Sequence, residues 1–321
     1  MTRSAETPHT ADAAPLIERA EAKWSAVAAA QPDLAPAIEL QRSLVSRTIR
    51  TVEQLTRVPP AVTLNLATVT RKLREGVPLL RDEEPHLATE LLGPVVTETC
   101  DALARGATGE VAQRVRQCLD TGRIDMGSLL AASFERNQIA IRAKAMHESI
   151  APDVLWLAAE LAVGPAAHLA IRNLLRENPT APGTPVRDAL NGWSHGFCPA
   201  CGSWPAFGEE PTTGRRLRCS FCGLDWQPRA GCTYCDGTPS QLTAVKTEPQ
   251  SPYRAELCAG CGGYLKWLEG AGPAPFELLA VEDLASAMVD VLAASQGFGR
   301  PMLPNLGGPD RLPCERIAPA E

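Results

Sequence analysis

Phe197-Cys198-Pro199-Ala200-Cys201-Gly202-Ser203 opens the stretch that decides the fold. Between Cys198 and Cys261 lie eight of the eleven cysteines of this 321-residue chain. They fall into four Cys-x-x-Cys pairs: Cys198/Cys201, Cys219/Cys222, Cys232/Cys235 and Cys258/Cys261. Two thiolates separated by two residues can curl around one cation as a knuckle, and a second knuckle brought back by a hairpin completes a tetrahedral four-sulfur site. Eight thiolates make two such sites with none left over.

The gaps suggest which pairs meet. Seventeen residues separate Cys201 from Cys219, 22 separate Cys235 from Cys258, and only nine separate Cys222 from Cys232. The first two gaps have the length of a ribbon hairpin and the nine-residue gap reads as a connector. First with second and third with fourth is therefore the expected pairing, with a cross-braced arrangement left open. Gly202, Gly223 and Gly262 each follow a second cysteine, where the knuckle backbone needs positive φ. Asp236 stands at that place in the third pair, and Asp tolerates the left-handed region better than most residues. Between knuckles, Trp204 to Phe207 and Arg215 to Arg218 read as strands around a turn at Glu209 to Gly214. Leu242 to Thr247 and Tyr253 to Leu257 do the same around Pro249-Gln250-Ser251-Pro252. Disulfides would need an oxidising compartment, and a dithiol redox centre would need one pair near a βαβ pattern. Neither fits four knuckles.

Outward from this module, residues 16–190 carry a helical period. Ile38, Val45, Ile49 and Val52 recur at +7, +4 and +3 on one face, with Asp33 at the N-cap position and Pro59-Pro60 closing the segment. Further helices are expected at 16–30, 62–75, 85–105, 108–120 and 126–149, in an all-α domain of six to eight helices. Val154 to Ile171 is apolar for 18 residues, near the roughly 20 of a membrane span. Glu160, His168 and the Gly164-Pro165 break favour a buried helix pair or a kinked helix instead, because a charge inside a bilayer is costly. Residues 1–15 lack the apolar core of a signal peptide, which points to a disordered start and a cytoplasmic protein. Residues 191–270 form the tandem knuckle region. Residues 271–321 hold a short helix at Glu282 to Gln296, with Leu284, Met288 and Val291/Leu292 on one face, and a Pro/Gly-rich tail.

The net charge of −6 argues against a dedicated nucleic-acid binder. Cys100 and Cys118 lie in helical segments and read as small buried apolar residues, and Cys314 in the tail is incidental. His195 precedes the first knuckle, but the four pairs already fill both sites. His147 and Glu148 read as a solvated helix end. Arg215, Arg216 and Arg218 form a small basic cluster, by default an exposed hairpin. No phosphate loop, nucleophile elbow or His-Glu-x-x-His motif is present.

The cysteine stretch resembles the formate dehydrogenase accessory proteins of the FdhE type. The likeness rests on Phe197 to Ser203, on Arg218-Cys219-Ser220-Phe221-Cys222 with Trp226, and on Cys232-Thr233-Tyr234-Cys235. Cys258-Ala259-Gly260-Cys261-Gly262-Gly263-Tyr264-Leu265-Lys266 is the most specific part. Glu282 to Ser286, Gln296-Gly297-Phe298 and Pro304-Asn305-Leu306 also look like the family's ending. Asp236 departs from an expected glycine. Over 16–190 only length and helical character agree.

The resemblance implies a fold of an α-helical N-terminal domain, two rubredoxin-like or zinc-ribbon-like modules of small β hairpins, and a short C-terminal helix. It implies metal ligation by the eight paired cysteines, with iron favoured over zinc. It also implies a non-enzymatic, cytoplasmic maturation factor for the molybdenum or tungsten catalytic subunit of formate dehydrogenase. Cys258 to Lys266, with Tyr264 and Trp267 as aromatic anchors, is the stretch expected near that partner. A rubredoxin-like electron carrier and a zinc-ribbon nucleic-acid binder are the rival readings. The residues leave the oligomeric state open, a homo-oligomer included.

Overall fold

Among the described residues, helices fill the first half of the chain, and a six-stranded sheet followed by two short helices occupies most of the second. The computed structural model describes residues 13–106, 109–177, 183–212, 214–270 and 273–301. The expected disordered start, apart from its last three residues, and the tail with Pro304 to Leu306 and Cys314 lie outside the described residues. Along the chain come α1 (Ala13–Ala30), α2 (Ala35–Leu55), α3 (Leu66–Arg74), α4 (Thr89–Ala104), α5 (Gly109–Asp120), α6 (Met126–Phe134), α7 (Gln138–His147) and α8 (Pro152–Glu177). A short α9 (Pro185–Asn191) leads into the cysteine stretch.

The apolar stripe on α2 is buried as its spacing predicts, from Ile38 through Val45, Ile49 and Val52 to Leu55. Asp33 does not cap this helix. It falls in a short 3-10 turn, Pro32–Leu34, and Leu34 takes the cap position, with no side-chain cap bond. The single helix expected over 126–149 is two. Arg136 turns left-handed at φ +60°, and the Asn137 side chain accepts the Ala140 N–H at 3.0 Å to start α7. The turn sends the Arg136 guanidinium back onto α8, where it pairs with Glu160 at 2.9 Å.

α8 is one helix running through Gly164-Pro165, not a pair. Its faces are apolar nearly all round because it is the central helix of the bundle. It is the one described helix long and apolar enough to cross a membrane, and 72% of its most apolar window is buried inside the protein.

Six strands follow: β1 (Phe207–Glu210), β2 (Arg216–Arg218), β3 (Asp225–Trp226), β4 (Leu242–Val245), β5 (Tyr253–Cys258) and β6 (Tyr264–Glu269), in the order β3-β2-β1-β6-β5-β4. Both expected hairpins form, with Phe207 opposite Arg218 and Leu242 opposite Cys258. Glu209 and Glu210 belong to the first strand rather than to its turn. The sequence reading missed β6, and β6 makes the sheet. It pairs antiparallel with β5 and parallel with β1, so the two ribbons become one surface. In the parallel register Trp267 lies opposite Gly208. A Cβ on Gly208 would come within 2.3 Å of the indole, so only glycine lets the strands close here.

The C-terminal segment also divides in two, α10 (Leu279–Ala285) and α11 (Ala287–Ser295), with the break at Ser286. Its buried face is Leu279, Val281, Ala285, Val289 and Ala293. Met288 and Val291, expected in the core, are exposed, and Leu284 is half-buried. α10 packs against α1 and α2 in a second core of Leu16, Trp24, Ile38, Ile49 and Val281. The main core is continuous from Leu92, Leu130 and Leu155 in the helices to Phe207, Phe221 and Trp267 in the sheet.

The Gly208 contact is open to a stability test. Gly208→Ala forces the Trp267 ring aside and is expected to cost about 1–3 kcal/mol in denaturant unfolding. Gly127→Ala serves as the control. Its added methyl meets only the Asp125 side chain at 3.6 Å, inside helix α6, and is expected to be neutral or stabilising by about 0.5–1 kcal/mol.

Candidate metal centres

The four knuckles repeat one backbone turn. In each, the N–H of the first cysteine donates to the carbonyl five residues on: Cys198 to Ser203 at 2.8 Å, Cys219 to Leu224 at 3.0 Å, Cys232 to Gly237 at 2.8 Å and Cys258 to Gly263 at 2.8 Å. The residue after the second cysteine is left-handed each time, with φ of +80° at Gly202, +75° at Gly223, +59° at Asp236 and +71° at Gly262. Asp236 therefore makes the same turn as the glycines despite its side chain, which reaches the Arg229 guanidinium.

The turns bring the sulfurs together as two clusters, Cys198/Cys201/Cys219/Cys222 and Cys232/Cys235/Cys258/Cys261. This is the sequential pairing; the cross-braced one does not occur. Within the first, Sγ–Sγ distances are 3.6 Å for Cys198–Cys222 and 3.4 Å for Cys201–Cys219. In the second, Cys232–Cys261 and Cys235–Cys258 are both 3.8 Å apart. A tetrahedron with metal–sulfur bonds of about 2.3 Å has edges of about 3.8 Å, whereas a disulfide needs about 2.05 Å. Each cluster could thus hold one metal ion, and soft thiolates suit zinc or iron. Backbone N–H groups of Ala200, Tyr234 and Gly263 point at Cys198, Cys232 and Cys261, each at 3.4 Å. Such bonds help carry the negative charge of a thiolate site.

The helical region holds the first cluster in place. Leu79 and Leu80, in the loop after α3, donate backbone N–H bonds of 2.9 and 2.8 Å to the carbonyls of Pro199 and Ala200, inside the first knuckle. From α8, His168 Nδ1 meets the Cys222 carbonyl at 3.1 Å, and its ring stacks on Phe276 at 4.2 Å. The Arg136 guanidinium lies 4.0 Å over Phe221, the residue before Cys222, and 4.6 Å over Trp156. Gly164 makes room for this loop, since a Cβ there would meet the Phe221 carbonyl at 3.2 Å. All four thiols of this cluster are buried. Burial pushes Cys198 and Cys222 well above the usual thiol range. At Cys201 burial acts the same way but is overcome by bonds from the three other thiols and by the Arg136 charge, which hold it well below that range. The second cluster sits on the sheet, and its Cys235 is only half-buried. Burial raises Cys235 to about 11.

Other residues singled out in the sequence fall outside both clusters. Cys100 and Cys118 are buried in helices, and His195 packs edge-on against Trp193 and flat against Phe197. His147 is exposed, and Glu148 pairs with Lys144 at 2.7 Å. The basic cluster is neutralised internally. Arg215 pairs with Glu210 and Glu256, Arg216 with Asp225, and Arg218 with Glu209. Tyr264 and Trp267 are buried, not exposed anchors. Tyr264 donates to Asp290 at 2.8 Å, and Trp267 lies 3.6 Å beneath the Arg215 guanidinium. A period-two pattern in Tyr264 to Glu269 was absent because both faces of this strand are covered.

The chain is 37% identical over 120 residues to the FdhE homologue of Pseudomonas putida, a stretch making up 34% of this chain and 37% of that protein. It is 35% identical over 109 residues to the FdhE homologue of Proteus mirabilis, covering 32% of this chain and 35% of that one. The chain thus matches little more than a third of the length of these curated relatives. The crystal structure of the FdhE protein from Pseudomonas aeruginosa has the same fold. Its TM-score is 0.54 at 24% identity, over 94% of this chain and 99% of that one. No family model matches the chain. The resemblance to the FdhE family carried by the cysteine stretch is borne out.

The two clusters differ in what they support. Cys198→Ser is expected to lower the helical circular dichroism and the apparent Tm, because Leu79, Leu80, His168 and Arg136 of the helical region bind the first cluster's knuckles directly. Ribbon spacing alone would have the helices indifferent to it. Cys235→Ser is expected to leave helix content unchanged. At Asp236, glycine is expected to retain the second metal, whereas the β-branched Asp236→Val meets the left-handed penalty, on the order of 1–2 kcal/mol. Metal content after mild chelation measures that difference.

Proposed function

We propose that this chain, a relative of the FdhE proteins, is a cytoplasmic maturation factor that binds the molybdenum or tungsten catalytic subunit of formate dehydrogenase. The observation that carries the reading is the pair of four-sulfur clusters joined in one sheet and set on a helical body, in a chain whose cysteine stretch is FdhE-like. The eight cysteines are the metal ligands in this reading, one ion per cluster, with iron favoured by the resemblance and zinc as the colourless alternative. The ions hold the knuckles rigid. Segments 16–190, 191–270 and 271–321 are taken as a helical body, the tandem metal region and a C-terminal helical segment with a Pro/Gly-rich tail.

The reading is non-enzymatic. His147 and Glu148 lie at a helix end already engaged by Lys144 and Arg123. Two features favour electron transfer as a second reading: N–H bonds to sulfur at 3.4 Å, which tune a reduction potential, and the half-buried Cys235.

The experiment combines deletion with capture. Removing the chain from its native cells is expected to abolish formate oxidation, and the tagged chain is expected to retain the catalytic subunit. Metal analysis is expected to return about two ions per chain, with thiolate charge-transfer colour if they are iron. Untouched formate oxidation in the deletion strain overturns the maturation reading. A reversible redox wave coupled to a partner would then favour electron transfer.

A further inference from the structure

A cleft of about 440 Å³ lies between α2, α8 and the knuckle loops, within the roughly 300–1,000 Å³ of ligand-binding clefts. Leu44, Val45, Leu157, Leu161, Trp204 and Phe276 give it apolar walls. Both clusters border it. Ser220 and Phe221 lie between Cys219 and Cys222, and Tyr234 between Cys232 and Cys235.

Charges lining the cleft are balanced with one exception. Glu160 is held by Arg136 at 2.9 Å, and Asp283 by Lys266 at 2.7 Å and Arg300 at 3.0 Å. Backbone acceptors nearby are also taken: Ala280 by Gln41 at 2.6 Å and Ala206 by Arg300 at 2.5 Å. Glu277 differs. It lines the cleft, is 9% exposed, and has no ion pair or hydrogen bond among the described residues. No cation stands beside its carboxylate, so a basic side chain entering the cleft meets an acceptor that nothing else engages.

We propose that the cleft receives an extended segment of a client polypeptide, with apolar side chains on its walls and one Lys or Arg on Glu277. This deepens the maturation-factor reading and rests on it, the client being the catalytic subunit. The chemistry selects against anions and polyhydroxy ligands, since the walls offer one uncompensated negative charge and few unused polar groups. The lining comes from segments as far apart as residues 41 and 301, so an occupant of several residues touches both knuckle regions at once. Recognition then depends on both clusters being formed, which ties client binding to metal loading.

The test uses the full metal-loaded chain co-expressed with the catalytic subunit. A photo-crosslinking benzoylphenylalanine replaces Leu157, on the cleft wall, or Ile139, exposed on α7 and outside the cleft. The Leu157 probe is expected to join a single client segment in which a Lys or Arg flanks apolar residues, and the Ile139 probe none. Glu277→Gln is expected to weaken capture about tenfold or more and to leave the Tm of the free chain unchanged, because no group of the chain pairs with this carboxylate. Capture with no crosslink at 157, a crosslinked segment without a basic residue, or unchanged capture by Glu277→Gln overturns the cleft while leaving the maturation factor standing. A lower Tm for the free Glu277→Gln chain likewise overturns it, since Glu277 would then be a structural partner. No capture by the unsubstituted chain removes the maturation reading, and the cleft with it.

Discussion

Four sulfur atoms, from Cys198, Cys201, Cys219 and Cys222, stand inside the main apolar core, and the rest of the structure is arranged to keep them there. Four thiols could be buried as small apolar groups, but four thiolates could not be without a cation. Burial works against the charged form at Cys198 and Cys222, and a few polar groups work for it. Amide groups approach the sulfur of Cys198 and the carbonyls of Pro199 and Ala200, and Arg136 lies across Phe221. The bundle is thus a socket for one ribbon, and the second ribbon hangs from the first through the parallel pairing of β6 with β1. In the second cluster the Cys258 knuckle is the turn from β5 to β6, the Cys232 knuckle lies in the connection from β3 to β4, and Cys235 is left half-buried.

The same sheet explains why conspicuous side chains near the last knuckle are internal. Lys266 is fully buried, and Asp283 and Asp290 on the C-terminal helices take its charge at 2.7 and 2.8 Å. Tyr264 and Arg300 bind the same two carboxylates. Breaking such a network by removing one member leaves a buried charge unpaired, which costs more than the network contributes when whole. These residues fix how α10 and α11 seat on β6, and with them the wall of the cleft.

Local chemistry was legible in the sequence, and long-range pairing was not. Knuckle spacing and the glycines at 202, 223 and 262 announce turns made within six residues, so both clusters and their pairing could be read. α2 could be read because one face is dry and the other wet. β6 could not, since Tyr264 to Glu269 is covered on both faces and its parallel partner lies some sixty residues earlier. The break at Arg136 carries no glycine or proline. Its cause is the guanidinium's grip on Glu160, Trp156 and Phe221, residues that nothing local predicts. The burial of Tyr264 and Trp267 was hidden for the same reason, and so was the isolation of Glu277, which depends on what the other segments lining the cleft fail to bring near it.

Helices far apart in the sequence close on one another. Gln41 of α2 donates to the Ala280 carbonyl across 239 residues, and α10 covers the apolar faces of α1 and α2. Closing so long a loop costs little more than closing a short one, since each doubling adds only about 0.6 kcal/mol, but it imposes an order of events. On a ribosome moving at about 5–20 residues per second, Leu16 and Trp24 emerge first and wait on the order of ten seconds or more for Val281. Until then α2 alone covers them, and the side of this core that α10 closes stays open. A product truncated before α10 leaves this core open on one side, so an incomplete copy carries an apolar patch on α1 and α2 that the full chain covers.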